Sequence, residues 1–170
     1  MTAAAKAAVL IFFVVVLQVT IVSSIGVFGG APDLVLVTLA AVALLNGAIF
    51  GSVTGFWAGL LLDVSRLGTL GFTSLLLTLA GFWIGRYGET TGRDRSHALF
   101  IAVAVVTVLY AVGSLTLHFM LGDPTSARVT LVDALPAEVL LNLALTAPVF
   151  ALCRRLFLRR EASRAEVQFG

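Results

Sequence analysis

After Lys6 the chain runs from Ala7 to Val27 without a single charged residue, and further long apolar runs follow it. An apolar stretch of 18 or more residues with few charges is long enough to cross a bilayer as a helix. Inside lipid every backbone N–H and C=O needs an internal partner, so only helices or closed barrels can cross. These runs are continuous and do not alternate, which predicts helices. Charged residues make up only 12% of the chain, against about 25% in ordinary soluble domains. Such a chain cannot cover a water-facing surface. An integral membrane protein of one domain is expected, all-α in class.

The first run also resembles a secretory signal, with Lys6 ahead of "AAVLIFFVVVL". A signal's apolar region ends after about 7–15 residues, whereas this one continues through "QVTIVSSIGVF". A retained first span is expected. Six spans follow from the pattern: Ala5–Val27, Asp33–Asn46, Ala48–Val64, Phe72–Tyr87, Ala98–Leu121 and Ala137–Phe157. As a single helix, residues 33–64 would measure about 48 Å at 1.5 Å per residue, against a hydrocarbon core of about 30 Å. Asn46–Gly47 is therefore read as a turn. Residues 1–157 form one polytopic domain, and 158–170 a basic tail that lies along the inner leaflet or simply anchors orientation.

Charge placement bears on topology. With six spans and both termini cytoplasmic, Lys6, Arg86, Arg93, Arg95, Arg154, Arg155, Arg159, Arg160 and Arg164 lie inside, nine of the eleven cations. Arg66 and Arg128 lie outside. A five-span chain with its N-terminus outside keeps eight of eleven inside, so the positive-inside rule mildly favours six. A net charge of +2 gives no reason to expect nucleic acid.

Within "GAIFGSVTGFWAGLLLD", glycines stand at 47, 51, 55 and 59, ahead of Asp63. Glycine costs a water-exposed helix about 1 kcal/mol against alanine. In lipid the helix is nearly obligatory, and small residues four apart let a second helix approach closely. The groove so formed serves packing within this chain, docking of a foreign helix, or self-association. Span four offers a smaller version at Gly81 and Gly85, with Gly88 just beyond. Asp63 is read either as an ion pair with Arg66 three residues on, or as a partner-binding or proton-handling group, since carboxylates within spans are costly. Gln18, Asn46, Thr78, Ser114 and Asn142 are read as polar packing between helices, and Cys153 as a buried packing thiol.

Catalytic signatures do not emerge. There is no GxxxxGK, HExxH, CxxC, EF-hand spacing or GxSxG. His97 and His118 fall at opposite ends of one expected helix and cannot share a metal. Neither an enzyme, a metal site nor a cofactor is expected.

Taken in order, "LQVT", "GGAPDLVLV", "GAIFGSVTGFWAGLLLD" and "LGTLGF" resemble the rod shape-determining protein MreD family. The matching positions are Pro32, Asp33, Gly51, Gly55, Phe56, Gly59, Leu60, Asp63, Gly68 and Gly71, within about residues 17–72. The resemblance implies a non-enzymatic component of the bacterial inner-membrane machinery that elongates the cell wall. Its implied partner is a bitopic MreC-like protein. Through that partner it would be linked to RodA, a class B penicillin-binding transpeptidase and the MreB filament. The implied fold resembles the six-helix S-component of ECF vitamin transporters, so a vitamin-binding subunit is the rival function. Combining both lines, the expected partner site is Gly47, Gly51, Gly55, Phe56, Gly59 and Leu60. Pro32, Asp33, Asp63, Arg66, Gly68 and Gly71 are expected to shape the fold around it.

Overall fold

A computed structural model describes residues 3–20, 31–66, 70–91, 96–122 and 134–158. Six helices fill these segments: α1 (Ala3–Thr20), α2 (Leu34–Asn46), α3 (Ala48–Arg66), α4 (Phe72–Thr91), α5 (Ser96–Leu121) and α6 (Leu135–Leu158). The all-helical expectation holds, including the break at residue 47. Three helices, α3, α5 and α6, are long and apolar enough to cross a membrane.

The centre of the bundle is α2. Its sequence, LVLVTLAAVALLN, is apolar on every side, and a helix without a polar face belongs in an interior. Every residue from Val35 to Leu45 is buried, and α1, α3, α4, α5 and α6 all pack on it. At 13 residues it measures about 20 Å, too short for a bilayer core of about 30 Å. It is a core element enclosed by longer helices.

The α2–α3 connection is Gly47 alone, at φ 97° and ψ 178°. Side chains rarely adopt that φ, and glycine adopts it freely. The chain reverses there. Asp33, at the start of α2, and Arg66, at the end of α3, line one cavity at the opposite end of the bundle. The ends of α1 and α6 also meet, because the Lys6 ammonium donates to the Leu156 carbonyl. The start of α1 and the finish of α6 therefore lie at one end of the bundle, with the Gly47 turn. Gln18, near the end of α1, and Asn142, early in α6, lie at the Asp33 end.

The distribution of side chains is the reverse of a water-soluble protein. Phe12, Phe13, Ile49, Trp57, Trp83, Leu109 and Phe119 point outward. Gln18, Thr38, Asp63, Thr107, Asn142 and Thr146 are buried. Among the described residues, no buried side-chain nitrogen or oxygen lacks a hydrogen-bond partner. This is the pattern lipid demands, where an unpaired polar group at the surface costs most.

Candidate functional site

The glycines of α3 are occupied within the chain. Gly51 faces Gly81, Gly55 faces Leu77, Gly59 faces Ser74, and Gly85 faces Gly47 and Ala48. Each step of four along α3 is matched by a step of about four back along α4, so the two helices run antiparallel with backbones touching. A β-carbon on Gly55 would lie 2.7 Å from the Leu77 carbonyl carbon and closer still to its oxygen. One on Gly51 would lie 2.6 Å from the Ala43 β-carbon, on α2. Small residues permit this approach, and dispersion along the whole seam rewards it. The Ser74 hydroxyl adds a bond across the seam, donating to the Phe56 carbonyl at 2.9 Å.

The expected partner site is corrected accordingly. Gly51, Gly55 and Gly59 are buried under α4, and Gly47 is the turn. A foreign helix has no access to them in this fold. The other two members differ: Phe56 is 46% exposed and Leu60 half-buried.

Both ends of the seam are closed by carboxylates, each carried by the opposite helix. At the start of α4, Asp63 accepts from the backbone N–H groups of Gly71 (2.8 Å), Thr73 (3.1 Å) and Ser74 (3.4 Å). These are orphan donors of a helix N-terminus, where the dipole also favours negative charge. At the start of α3, Glu89 accepts from Ala48 N–H at 3.0 Å. Its other carboxylate oxygen meets Arg86 at 3.4 Å. Asp63 makes no salt bridge to Arg66. Helix capping replaces that expected ion pair, because a carboxylate held against three N–H groups is already satisfied. Sequence reading missed Glu89. The expected fourth span ended at Tyr87, whereas α4 runs on to Thr91 and so carries Glu89 to the start of α3.

The second polar locus organises the start of α2. Asp33 is its N-cap, accepting from Leu36 N–H at 2.9 Å through Oδ1, as capping residues do. Gln18 of α1 brackets the same turn, donating to the Pro32 carbonyl at 3.0 Å and accepting from Leu34 N–H at 2.9 Å. Asn142 of α6 accepts from Asp33 N–H at 2.7 Å and donates to the Thr107 hydroxyl of α5 at 3.1 Å. The Thr107 hydroxyl in turn donates a hydrogen bond to the Val103 carbonyl. Four helices are thereby tied to one turn of backbone. Gln18 and Asn142 are the polar packing expected of them, and Pro32 and Asp33 sit in the turn they hold. Thr107 carried no sequence signal beyond being a hydroxyl in an apolar run. Replacing Asn142 with leucine should lower the unfolding free energy by about 1–2 kcal/mol, because it strands the buried Asp33 N–H. Denaturant titration checks this, and an unchanged midpoint would show that the fold does not depend on the Asn142–Asp33 bond.

Gly71 stands at φ 91° in the turn that feeds α4, with its N–H on Asp63. Gly68, Arg93, Arg95, Arg128 and the basic tail from Arg159 lie outside the described residues, as do the His97 and His118 side chains.

On the outward side of α3, an apolar groove of about 280 Å³ runs beside α1. Ala4, Ala7, Ala8 and Ile11 form one wall, and Phe50, Val53, Thr54, Trp57 and Leu61 the other. The small residues of α1 make it a groove rather than a closed contact.

The family model described as "MreD: rod shape-determining protein MreD" matches residues 3–156. No curated protein and no solved structure matches the chain. The matched segment holds the glycine seam, both capping carboxylates and the junction at Asp33, and it takes in all but the last residues of α6. The chain belongs to the rod shape-determining protein MreD family, whose members are bacterial membrane proteins that act in cell shape and are not known as enzymes.

Proposed function

We propose that this protein is a multi-pass scaffold of the bacterial inner membrane within the machinery that synthesises the rod-shaped wall. In this reading the spanning helix of an MreC-like partner seats in the groove between α1 and α3. Contacts to RodA, a class B transpeptidase and MreB would follow through that partner. The observation carrying the proposal is the division of α3 into two faces. Its glycine face is consumed by α4, and its aromatic face, with Phe56 and Trp57 exposed, flanks an apolar groove. Between spanning helices association rests on close packing, and alanines such as Ala4 and Ala8 let a helix backbone come near.

Orientation follows from charge. Lys6, Arg86, Arg154 and Arg155 belong to the end of the bundle that holds the Gly47 turn, and Arg66 to the other. The positive-inside rule puts the first end in the cytoplasm, with the start of α1 and the finish of α6 on that side and Arg66 on the other. The cavity at Asp33, about 150 Å³, falls below the roughly 300–1,000 Å³ of ordinary small-molecule pockets. That supports the scaffold over a vitamin-binding subunit.

Filling the groove tests the proposal. Ala8 is exposed, so Ala8→Trp should fold normally, yet it should reduce recovery of the co-expressed partner by about tenfold, equivalent to roughly 1.4 kcal/mol. Trp83→Ala, on the α4–α5 side, should leave recovery unchanged. A folded Ala8→Trp protein that retains its partner removes this groove from the interface.

A further inference from the structure

The small cavity at the start of α2 has a composition that scaffolding does not require. Its inner wall is Gln18, Thr107 and Asn142, committed to one another's helices and to the α2 backbone. Its remaining polar wall is Asp33, Arg66, Tyr110 and Glu138. Among the described residues, neither Arg66 nor Glu138 makes a hydrogen bond or salt bridge, and the Asp33 carboxylate accepts only from the backbone of its own helix start. Two carboxylates and one guanidinium thus share about 150 Å³, room for about five waters at ~30 Å³ each. The apolar groove beside α1 has no charged group in its walls.

Charge balance narrows what fits. Carboxylates enclosed in a largely apolar body need a compensating partner, and two acids exceed one guanidinium by a single charge. A hard metal ion wants six or more oxygen ligands. No group of three or more acidic, histidine or cysteine side chains that could hold a metal occurs among the described residues. A primary ammonium suits the space better, since its three N–H donors match Asp33, Glu138 and the Tyr110 hydroxyl. Arg66 is exposed at the cavity's mouth, placed for an anionic group on the same molecule.

We propose that this cavity binds the head of a small zwitterion, its primary ammonium held between Asp33 and Glu138 and its phosphate or carboxylate on Arg66. The cavity lies at the end of the bundle, where a bilayer's head groups would be. An aminophospholipid head and a free amino acid or phosphoethanolamine carry the same chemistry. The proposal is independent of which partner helix the protein binds.

The test uses the full-length protein in mild detergent, exchanged against equal amounts of phosphatidylethanolamine and phosphatidylcholine and read by native mass spectrometry. The two lipids differ in whether the ammonium has N–H donors. Phosphatidylethanolamine should be retained about tenfold over phosphatidylcholine, the ratio given by roughly 1.4 kcal/mol. Asp33→Asn with Glu138→Gln should bring that ratio to about one; asparagine keeps the helix cap, so α2 is preserved. Arg66→Gln, at an exposed position, should lower retention of both lipids. In a second arm, free phosphoethanolamine and alanine are added to detergent-purified protein and the thermal midpoint is followed. A rise in wild type that the double variant lacks, with both lipids retained equally, assigns the site to a soluble zwitterion. Equal retention without any thermal shift, or a preference that survives the double variant, overturns the proposal.

Discussion

Gly55→Leu should yield little folded protein. The site has no slack: the β-carbon alone would overlap the Leu77 carbonyl group, which belongs to helix backbone and cannot rotate away. Leucine adds three more carbons to that overlap. Ordinary overpacking costs about 1–3 kcal/mol by shifting side chains. Here α3 and α4 would have to part along the seam, taking the Ser74–Phe56 bond and both terminal caps with them. The loss should exceed about 3 kcal/mol, a large share of a total stability of roughly 5–15 kcal/mol. The chain's two tryptophans, Trp57 and Trp83, stand one on each of these helices, so their fluorescence during denaturant titration follows the unfolding of both. Val53→Ala, at an outward position of the same helix, should shift the midpoint by far less. Had the glycines formed an open docking groove, Gly55→Leu would fold normally and lose only its partner. A stable, wild-type-like Gly55→Leu protein would refute the seam.

The second large effect is expected at Asp63. Asp63→Ala removes the acceptor for three backbone N–H groups at once, and those of Thr73 and Ser74 sit among buried residues. Losing a cap costs about 0.5–2 kcal/mol, and a stranded buried donor about 1–3 kcal/mol. The combined loss should be near 3 kcal/mol in the same titration, with Asp63→Asn intermediate because an amide oxygen still accepts. Glu89→Ala should cost less, since its side chain is 32% exposed and water can replace it at the Ala48 N–H. If Asp63→Ala were neutral while Arg66→Ala was destabilising, the carboxylate would be acting through Arg66 and not as a cap.

How much of this was legible in advance differs by residue. The turn at Asn46–Gly47 could be read because a 32-residue helix outruns the bilayer, and that argument needs only length. Asp33 could be placed at a helix start because capping chemistry is local. The glycine spacing announced a backbone-to-backbone contact, yet it could not say against which helix, since Gly81 and Gly85 offer the same surface that a foreign helix would. Asp63 was visible as an anomaly but was paired with its neighbour in sequence, Arg66. The three N–H groups it serves lie 8 to 11 residues on, across a turn whose geometry the sequence does not state. Glu89 was invisible for the same reason. Gln18 and Asn142 read as packing, but their convergence on one turn of α2 joins residues 109 apart in the chain.

Apolar length, sparse charge and glycine spacing by themselves determined that this chain is built of apolar helices, one of them shaped for an unusually close helix contact. These are properties of single segments facing lipid, where the backbone has no alternative to the helix. Tertiary structure alone decided which surfaces remain available. It turned the glycine face inward and the aromatic face of α3 outward, and it gathered Asp33, Arg66 and Glu138 around one cavity. Those outcomes depend on how distant segments register against one another, and a one-dimensional pattern of residue types does not carry that information.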